Sequence, residues 1–238
     1  MFDKIKLFLL KKFVLLQDLK DTKKEIQDVN HVLGLLMDHY WDIEASKALP
    51  AKGIKREQQL KEYEIMHEIS VALDAENIPY WLDYGTLLGS VRHKGFVPWD
   101  DDVDLGALRE DRERIINTLK LKYPNKYQFG DFGKIDSFLK VELFEGDRYT
   151  FVDIYFYNKE NDRLFTRVFE LTKSYNTPFP YDIIFPLKKG VFEGREYNIP
   201  NNAHLYLKKN YGDYMTVPKK SHAYPHKGWD AHEVFYKD

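Results

Sequence analysis

No cysteine occurs anywhere in the 238 residues. Disulfides, thiol nucleophiles and thiolate zinc sites are therefore excluded, and the absence suits a reducing compartment. Charge of one sign is also lacking in bulk: 36 Lys and Arg against 38 Asp and Glu leave a formal net charge of −2. So balanced a chain has no basic field for sequence-independent nucleic-acid binding, and nucleic acid is not an expected partner. Long apolar runs are missing too. The N-terminus, MFDKIKLFLLKKFVLLQ, is broken by Lys4, Lys6, Lys11 and Lys12 into runs far below the ~20 residues that span a bilayer. The same lysines spoil a secretory apolar region, and no small-residue cleavage site follows. The expected location is the cytoplasm.

What the chain does have is apolar and aromatic material for one substantial domain. Hydrophobic residues make up 43% and charged residues 31%, with 17 Tyr, 16 Phe and 4 Trp, the composition of a globular protein with a sizeable core. Residues 1–50 read as a helical extension. Leu16, Leu19, Ile26, Leu33, Met37 and Tyr40 recur at near-heptad spacing, with Lys23 and Asn30 at polar seam positions. Such a helix packs on its own domain or pairs with a second copy. Alternatively, its first 16 residues rest on an anionic membrane surface at the inner face of the cytoplasmic membrane.

ASKALPAKG, residues 45–53, reads as a linker through Pro50 and Gly53, and residues 55–238 as the main domain. A helix is predicted from Lys55 to Glu76, its apolar face made by Ile65, Met66, Ile69, Ala72 and Leu73. A short strand over Tyr80–Tyr84 and a short helix ended by Gly95 follow. Then come a strand at DDVDLGAL, a helix at REDRERIINTLKLKY, and strands at FLKVELFEG and RYTFVDIYFYN. The tail from Pro186 reads as loop-rich, with a helix at NNAHLYLKKNYG. This order predicts an α/β (α+β) domain on a small mixed sheet flanked by helices.

The densest chemistry lies in FVPWDDDVDLG, where Asp100, Asp101, Asp102 and Asp104 fall within five positions. Like charges this close repel, and burial makes their ionised forms costlier still. On a strand, Asp102 and Asp104 point to the same face while Val103 points to the core. A D-x-D pair at a sheet end commonly holds Mg²⁺ or Mn²⁺. In TFVDIYFY, Asp153 is a lone charge in an apolar, aromatic strand and needs a partner. A neighbouring strand carrying Asp102 and Asp104 would supply the same metal, and Asp100 is a candidate fourth ligand.

Ahead of the acids, Gly85 and Thr86 stand where a strand passes into a helix, a place where free N–H groups receive an anion. Gly89 and Ser90 lie one turn on, and Arg92, His93 and Lys94 add cationic donors. Lys140, on the strand before Asp153, is a candidate phosphate contact or a solvated strand lysine. Trp81, Tyr84 and Trp99 flank the site, as stacking faces for a base or a cationic group or as core. His222 and His226, in SHAYPHKGW, read as ligand contacts, to phosphate for one, or as plain loop histidines.

DYGTLLGSVRHKGFVPWDDDVDLG, FVDIYFY and FEGREYNIPNNAHLYLKKNYGDYMTVP together resemble the LicD family of bacterial phosphocholine transferases, related to the animal fukutin-type enzymes. The resemblance runs over roughly residues 57–218. It implies a nucleotidyltransferase-type fold and a divalent metal, Mg²⁺ or Mn²⁺, held by Asp102, Asp104 and Asp153, with Asp100 a helper. It implies a donor phosphate cradle of Gly85, Thr86, Gly89 and Arg92. It also implies transfer of a phospho-alcohol, typically phosphocholine from CDP-choline, onto a sugar hydroxyl of a bacterial surface glycan (lipopolysaccharide, capsule or teichoic acid). Asp153 or Asp101 is then the base. Two other readings remain at this stage: a nucleotidyltransferase using ATP or CTP, and a non-catalytic scaffold in glycan assembly. Choline, glycerol, ribitol and ethanolamine all stay open as the alcohol.

Overall fold

In a computed structural model the chain divides into two compact units, Met1–Glu44 and Ala45–Asp238. The structure describes residues 12, 17, 19–25, 50–130, 137–146, 150–166 and 178–215. Residues 19–25 of the first unit are helical. The seam positions Leu16, Ile26, Asn30, Leu33, Met37 and Tyr40 and the histidines 222 and 226 lie outside the described residues. No described helix is long and apolar enough to cross a membrane.

The second unit begins with α1, Gly53–Ala75. Ile65, Met66, Ile69, Ala72 and Leu73, spaced at three and four residues, are its buried stripe. The chain then runs through β1 (Tyr80–Leu82), α2 (Tyr84–Arg92) and β2 (Asp104–Leu108). A 3-10 turn, Arg109–Asp111, leads into α3 (Arg112–Lys122), followed by β3 (Tyr127–Gly130), β4 (Phe138–Leu143) and β5 (Phe151–Glu160). Next are β6 (Arg163–Phe165), β7 (Phe179–Pro180), α4 (Tyr181–Ile184), β8 (Lys188–Phe192), β9 (Arg195–Ile199) and α5 (Ala203–Tyr211).

The main sheet has the order β1-β2-β5-β4-β3, with β6 and β7 continuing from β5. It is mixed: β2 and β5 are parallel, while β1 on β2, β4 on β5 and β3 on β4 are antiparallel. The predicted α/β class with helices flanking a mixed sheet is what forms. Alternate residues of β2 and β5 (Leu105, Ala107, Val152, Ile154 and Phe156) are buried and meet the stripe of α1 in one core. At the β1–β2 step Trp81 lies opposite Gly106. A Cβ on Gly106 would come within 2.2 Å of the Trp81 ring, so the indole packs flat on bare backbone.

Three local expectations change. The predicted strand DDVDLGAL starts only at Asp104, because residues 100–103 are spent wrapping the loop over α1. The short helix stops at Arg92, before Gly95. The tail from Pro186 contains the hairpin β8–β9, turned at Glu193 and Gly194, which both have positive φ (49° and 78°). That pair provides the left-handed turn a two-residue hairpin needs. Its strands were hidden because three of their first residues are Lys188, Lys189 and Gly190, with no apolar alternation to read.

Candidate active site

Asp104, the first residue of β2, is register-paired with Asp153 on the parallel strand β5. Residues paired in register point the same way off a sheet, so the two carboxylates share a face. Asp102 joins them from the loop: one carboxylate oxygen from each of Asp102, Asp104 and Asp153 lies within 4.8 Å of the others. Asp100, Asp101 and Asp102 form a second such group, sharing Asp102 with the first. Asp104 and Asp153 are buried, 6% and 7% exposed. The Oδ1 atoms of both are buried without a hydrogen-bond donor among the described residues. Lys140 Nζ lies 3.8 Å from Asp153 Oδ1 and 3.1 Å over the Phe151 ring.

Charge explains the electrostatics. Burial pushes the Asp153 carboxyl up to about 7, with Lys140 opposing and Asp102 adding to the rise. Burial, and then the neighbouring aspartates, hold Asp104 and Asp100 well above the ordinary carboxylate range. Two buried carboxylate oxygens without donors among the described residues, converging with a third acid, could hold a hard divalent cation.

The residues ahead of the acids are gathered around the same place, mostly by contacts within the protein. Thr86 Oγ1 accepts from the Asp104 N–H at 2.8 Å and so fixes the start of β2. Gly85 lies against Asp100, whose Oδ2 would be 2.4 Å from a Cβ there. Gly89 is crossed by the backbone of the acid loop, with Gly95 O 2.3 Å from the same imagined atom. Ser90 Oγ donates to Val191 O of β8 at 2.8 Å. Arg92 donates to His93 Nε2 at 2.9 Å and to Tyr214 O at 2.7 Å, with its guanidinium 5.7 Å from the centre of the Trp99 ring. Trp99 is buried, as is Trp81.

Asp83 and its partners Tyr157 and Tyr206 went unread in the sequence, while Tyr84 is expected beside the site. Asp83, fully buried, caps α2 by accepting from the Tyr84 N–H at 2.9 Å. It also accepts from Tyr157 OH at 2.8 Å and from Tyr206 OH. Burial pushes Asp83 up to about 6, and those three donors oppose it. Tyr84 opens the helix at φ 33°, a left-handed conformation that costs a non-glycine residue about 1–2 kcal/mol. Its ring leans edge-on to Tyr155, centroids 4.8 Å apart, beside the acids.

Two clasps hold the acid loop. The amide of Gln59 reaches it from α1, with Gln58 alongside. At the loop's other end Glu193, on the hairpin turn, accepts from Arg56 Nη1 at 2.9 Å, from Nη2 at 2.6 Å, and from the Phe96 N–H at 3.1 Å. Burial alone would raise Glu193, but Arg56 and the Phe96 N–H outweigh it and hold the carboxyl below its usual value. A carboxylate depressed on folding stabilises above its unfolded value of about 4.3 and stops doing so as the pH falls through its folded value. Glu193→Gln is therefore expected to cost about 1–2 kcal/mol at pH 7. Calorimetry should find that deficit shrinking only as the pH drops below about 4; a pH-independent deficit would mean the ion pair contributes nothing.

With this geometry in view, the relatives are informative. The family profile described as "LicD/FKTN/FKRP, nucleotidyltransferase domain" matches residues 77–202, more than half of the chain and all of the acids above. An uncharacterized protein of Rickettsia typhi is 30% identical over 184 residues, 77% of this chain and 51% of that protein. The lipopolysaccharide cholinephosphotransferase LicD of Haemophilus influenzae is 24% identical over 257 residues, 74% of this chain and 97% of its own length. The ribitol 5-phosphate transferase FKRP of Homo sapiens is 30% identical over 149 residues, 59% of this chain and 29% of that protein. The chain thus spans about half the length of the Rickettsia relative and under a third of the human one. On the match across residues 77–202, this chain belongs to the LicD/FKTN/FKRP family of nucleotidyltransferase-domain proteins.

Proposed function

We propose that this protein moves a phospho-alcohol from a CDP-linked donor, phosphocholine from CDP-choline in the first instance, onto a sugar hydroxyl of a surface glycan, with release of CMP. The observation that carries the reading is the trio Asp102, Asp104 and Asp153, two of them buried with a carboxylate oxygen that has no donor among the described residues. The named relatives support the class, since cholinephosphotransferase and ribitol 5-phosphate transferase share a phospho-alcohol as the group transferred. Asp102, Asp104 and Asp153, with Asp100 beside them, would hold Mg²⁺ or Mn²⁺, which when bound supplies charge neutralisation for the donor's pyrophosphate.

The protein's own part is to place two reactants and take a proton. The acceptor oxygen forms a bond to the phosphorus bearing the alcohol. The anhydride bond to the CMP phosphate breaks, and CMP carries away its electron pair. The hydroxyl proton passes to a carboxylate of the cluster, Asp153 or Asp101. Lys140, 3.8 Å from Asp153 Oδ1, would meet an anionic donor entering over β4.

A thermal-shift panel tests this. CDP-choline, CDP-glycerol, CDP-ribitol, CTP and ATP are each added with and without Mg²⁺ to the wild type and to Asp102→Asn. A ligand at a hundred times its Kd adds about 2.7 kcal/mol, which in a chain of this size is roughly 5–10 °C. A Mg²⁺-dependent shift with one CDP-alcohol, lost in the variant, is expected. A shift with ATP or CTP alone would replace this reading with nucleotidyl transfer.

A further inference from the structure

The buried stripe of α1 does not end where its apolar residues end. Continued toward the N-terminus from Leu73, Ile69 and Met66, it passes through Glu62, Gln59 and Lys55, all at most 1% exposed. Polar side chains therefore occupy positions where the helix period calls for apolar ones. Of these, Gln59 has the most specific geometry. Its Nε2 lies 3.2 Å from Val97 O, 3.3 Å from Pro98 O and 3.0 Å from Asp100 O. Beside it, Gln58 Nε2 lies 3.3 Å from Asp101 O. The four carbonyls at residues 97, 98, 100 and 101 thus turn inward around two amide groups. An amide has two N–H donors, so Gln59 shares them among three acceptors. The Asp100 N–H closes the same turn on Val97 O at 2.9 Å.

We propose that Gln59 is a positioning residue for the aspartate loop: its amide gathers three loop carbonyls and so fixes where Asp100, Asp101 and Asp102 present their carboxylates. The inference rests on the reading of those acids as a cation site. Gln59 itself touches neither cation nor substrate. Groups that orient ligands from behind typically change metal affinity about 10–100-fold when removed.

Two substitutions separate the amide from its bulk. Gln59→Met keeps the volume and loses the donors. Gln59→Glu keeps the shape but sets a carboxylate against three carbonyl oxygens. Hydrogen–deuterium exchange and Mn²⁺ binding are measured on both variants and on the wild type, well below each melting temperature. The expected result is exchange at least about tenfold faster in residues 97–104 with β4 and β5 unchanged, and Mn²⁺ affinity about 10–100-fold weaker, Glu worse than Met. In turnover, kcat falls while KM for the donor stays within about twofold. Wild-type exchange and wild-type Mn²⁺ affinity in a variant with a lowered melting temperature would overturn the proposal, leaving Gln59 a packing residue. Wild type that fails to bind Mn²⁺, with exchange still faster in the variants, would keep the clasp and reject the cation site. If both variants fail to fold, Gln58→Ala, which removes the donor to Asp101 O and to Glu62 Oε1, is expected to give the same pattern at smaller size. Unchanged exchange there would count against the proposal.

Discussion

Asp104→Asn is expected to leave a folded protein with at least about a thousandfold less activity and a melting temperature that is not lowered. The two halves of that result have one cause. Asp104 is buried beside Asp102, Asp153 and Asp100, and its carboxyl sits well above its usual range because burial and those neighbours disfavour the charge. A carboxyl raised on folding is stabilised only while protonated, so its ionisation at neutral pH costs folding energy. Asparagine has the same shape, carries no charge and can donate to the neighbouring acids. The backbone at this position is held separately, by Thr86 Oγ1 and by the register with β5. A gain of about 2–6 °C without added metal is therefore expected, with loss of any Mg²⁺-induced stabilisation. Circular dichroism melts and turnover with the donor identified by the ligand panel check both. Undiminished turnover would end the carboxylate-cluster account.

The second large effect is expected at Gly89, where two ordinary arguments give opposite signs. Glycine inside a helix costs about 1 kcal/mol relative to alanine, so Gly89→Ala on α2 should stabilise. But a Cβ there would stand 2.3 Å from Gly95 O and 3.2 Å from Val97 N. Both are backbone atoms, unable to rotate away as a side-chain tip could. Overpacking typically costs about 1–3 kcal/mol, and contact with rigid backbone sets this site at the upper end, which exceeds the propensity gain. The net expectation is a melting temperature lower by roughly 4–10 °C. Because the displaced segment continues into Asp100, activity should fall as well. A stabilised variant would show that the loop can move off the helix at little cost.

Much of this site was legible from residue types alone. A D-x-D pair and a lone aspartate in an aromatic strand had to meet something, and Asp104 and Asp153 do lie side by side on neighbouring strands. The core stripe of α1 was legible for the same reason, since leucine, isoleucine and methionine announce a buried face. Its continuation was not. Lys55, Gln59 and Glu62 look like a solvated face, and only the unbroken spacing of three and four with Met66, Ile69 and Leu73 hints otherwise. Thr86, beside Gly85, reads as part of an anion-receiving helix start, and Gly89 as a small residue one turn on. Their contacts to Asp104 N and Gly95 O depend on where a distant loop crosses the helix, which local sequence does not encode. Asp83 shows the same limit: its partners Tyr157 and Tyr206 come from β5 and from a helix near the end of the described chain.

The parallel pairing of β2 with β5 has a consequence for how the protein comes into being. Antiparallel neighbours such as β3 and β4 can zip locally, but β2 must wait for a long stretch of chain to return before Asp104 meets Asp153. Closing so large a loop is slow, and contacts of that kind govern folding rate. During synthesis, the ribosome releases β2 with its acids well before β5 exists to complete the trio. The three-carboxylate cluster therefore forms only once β5 has emerged and closed on β2, and its appearance would report that non-local step of folding.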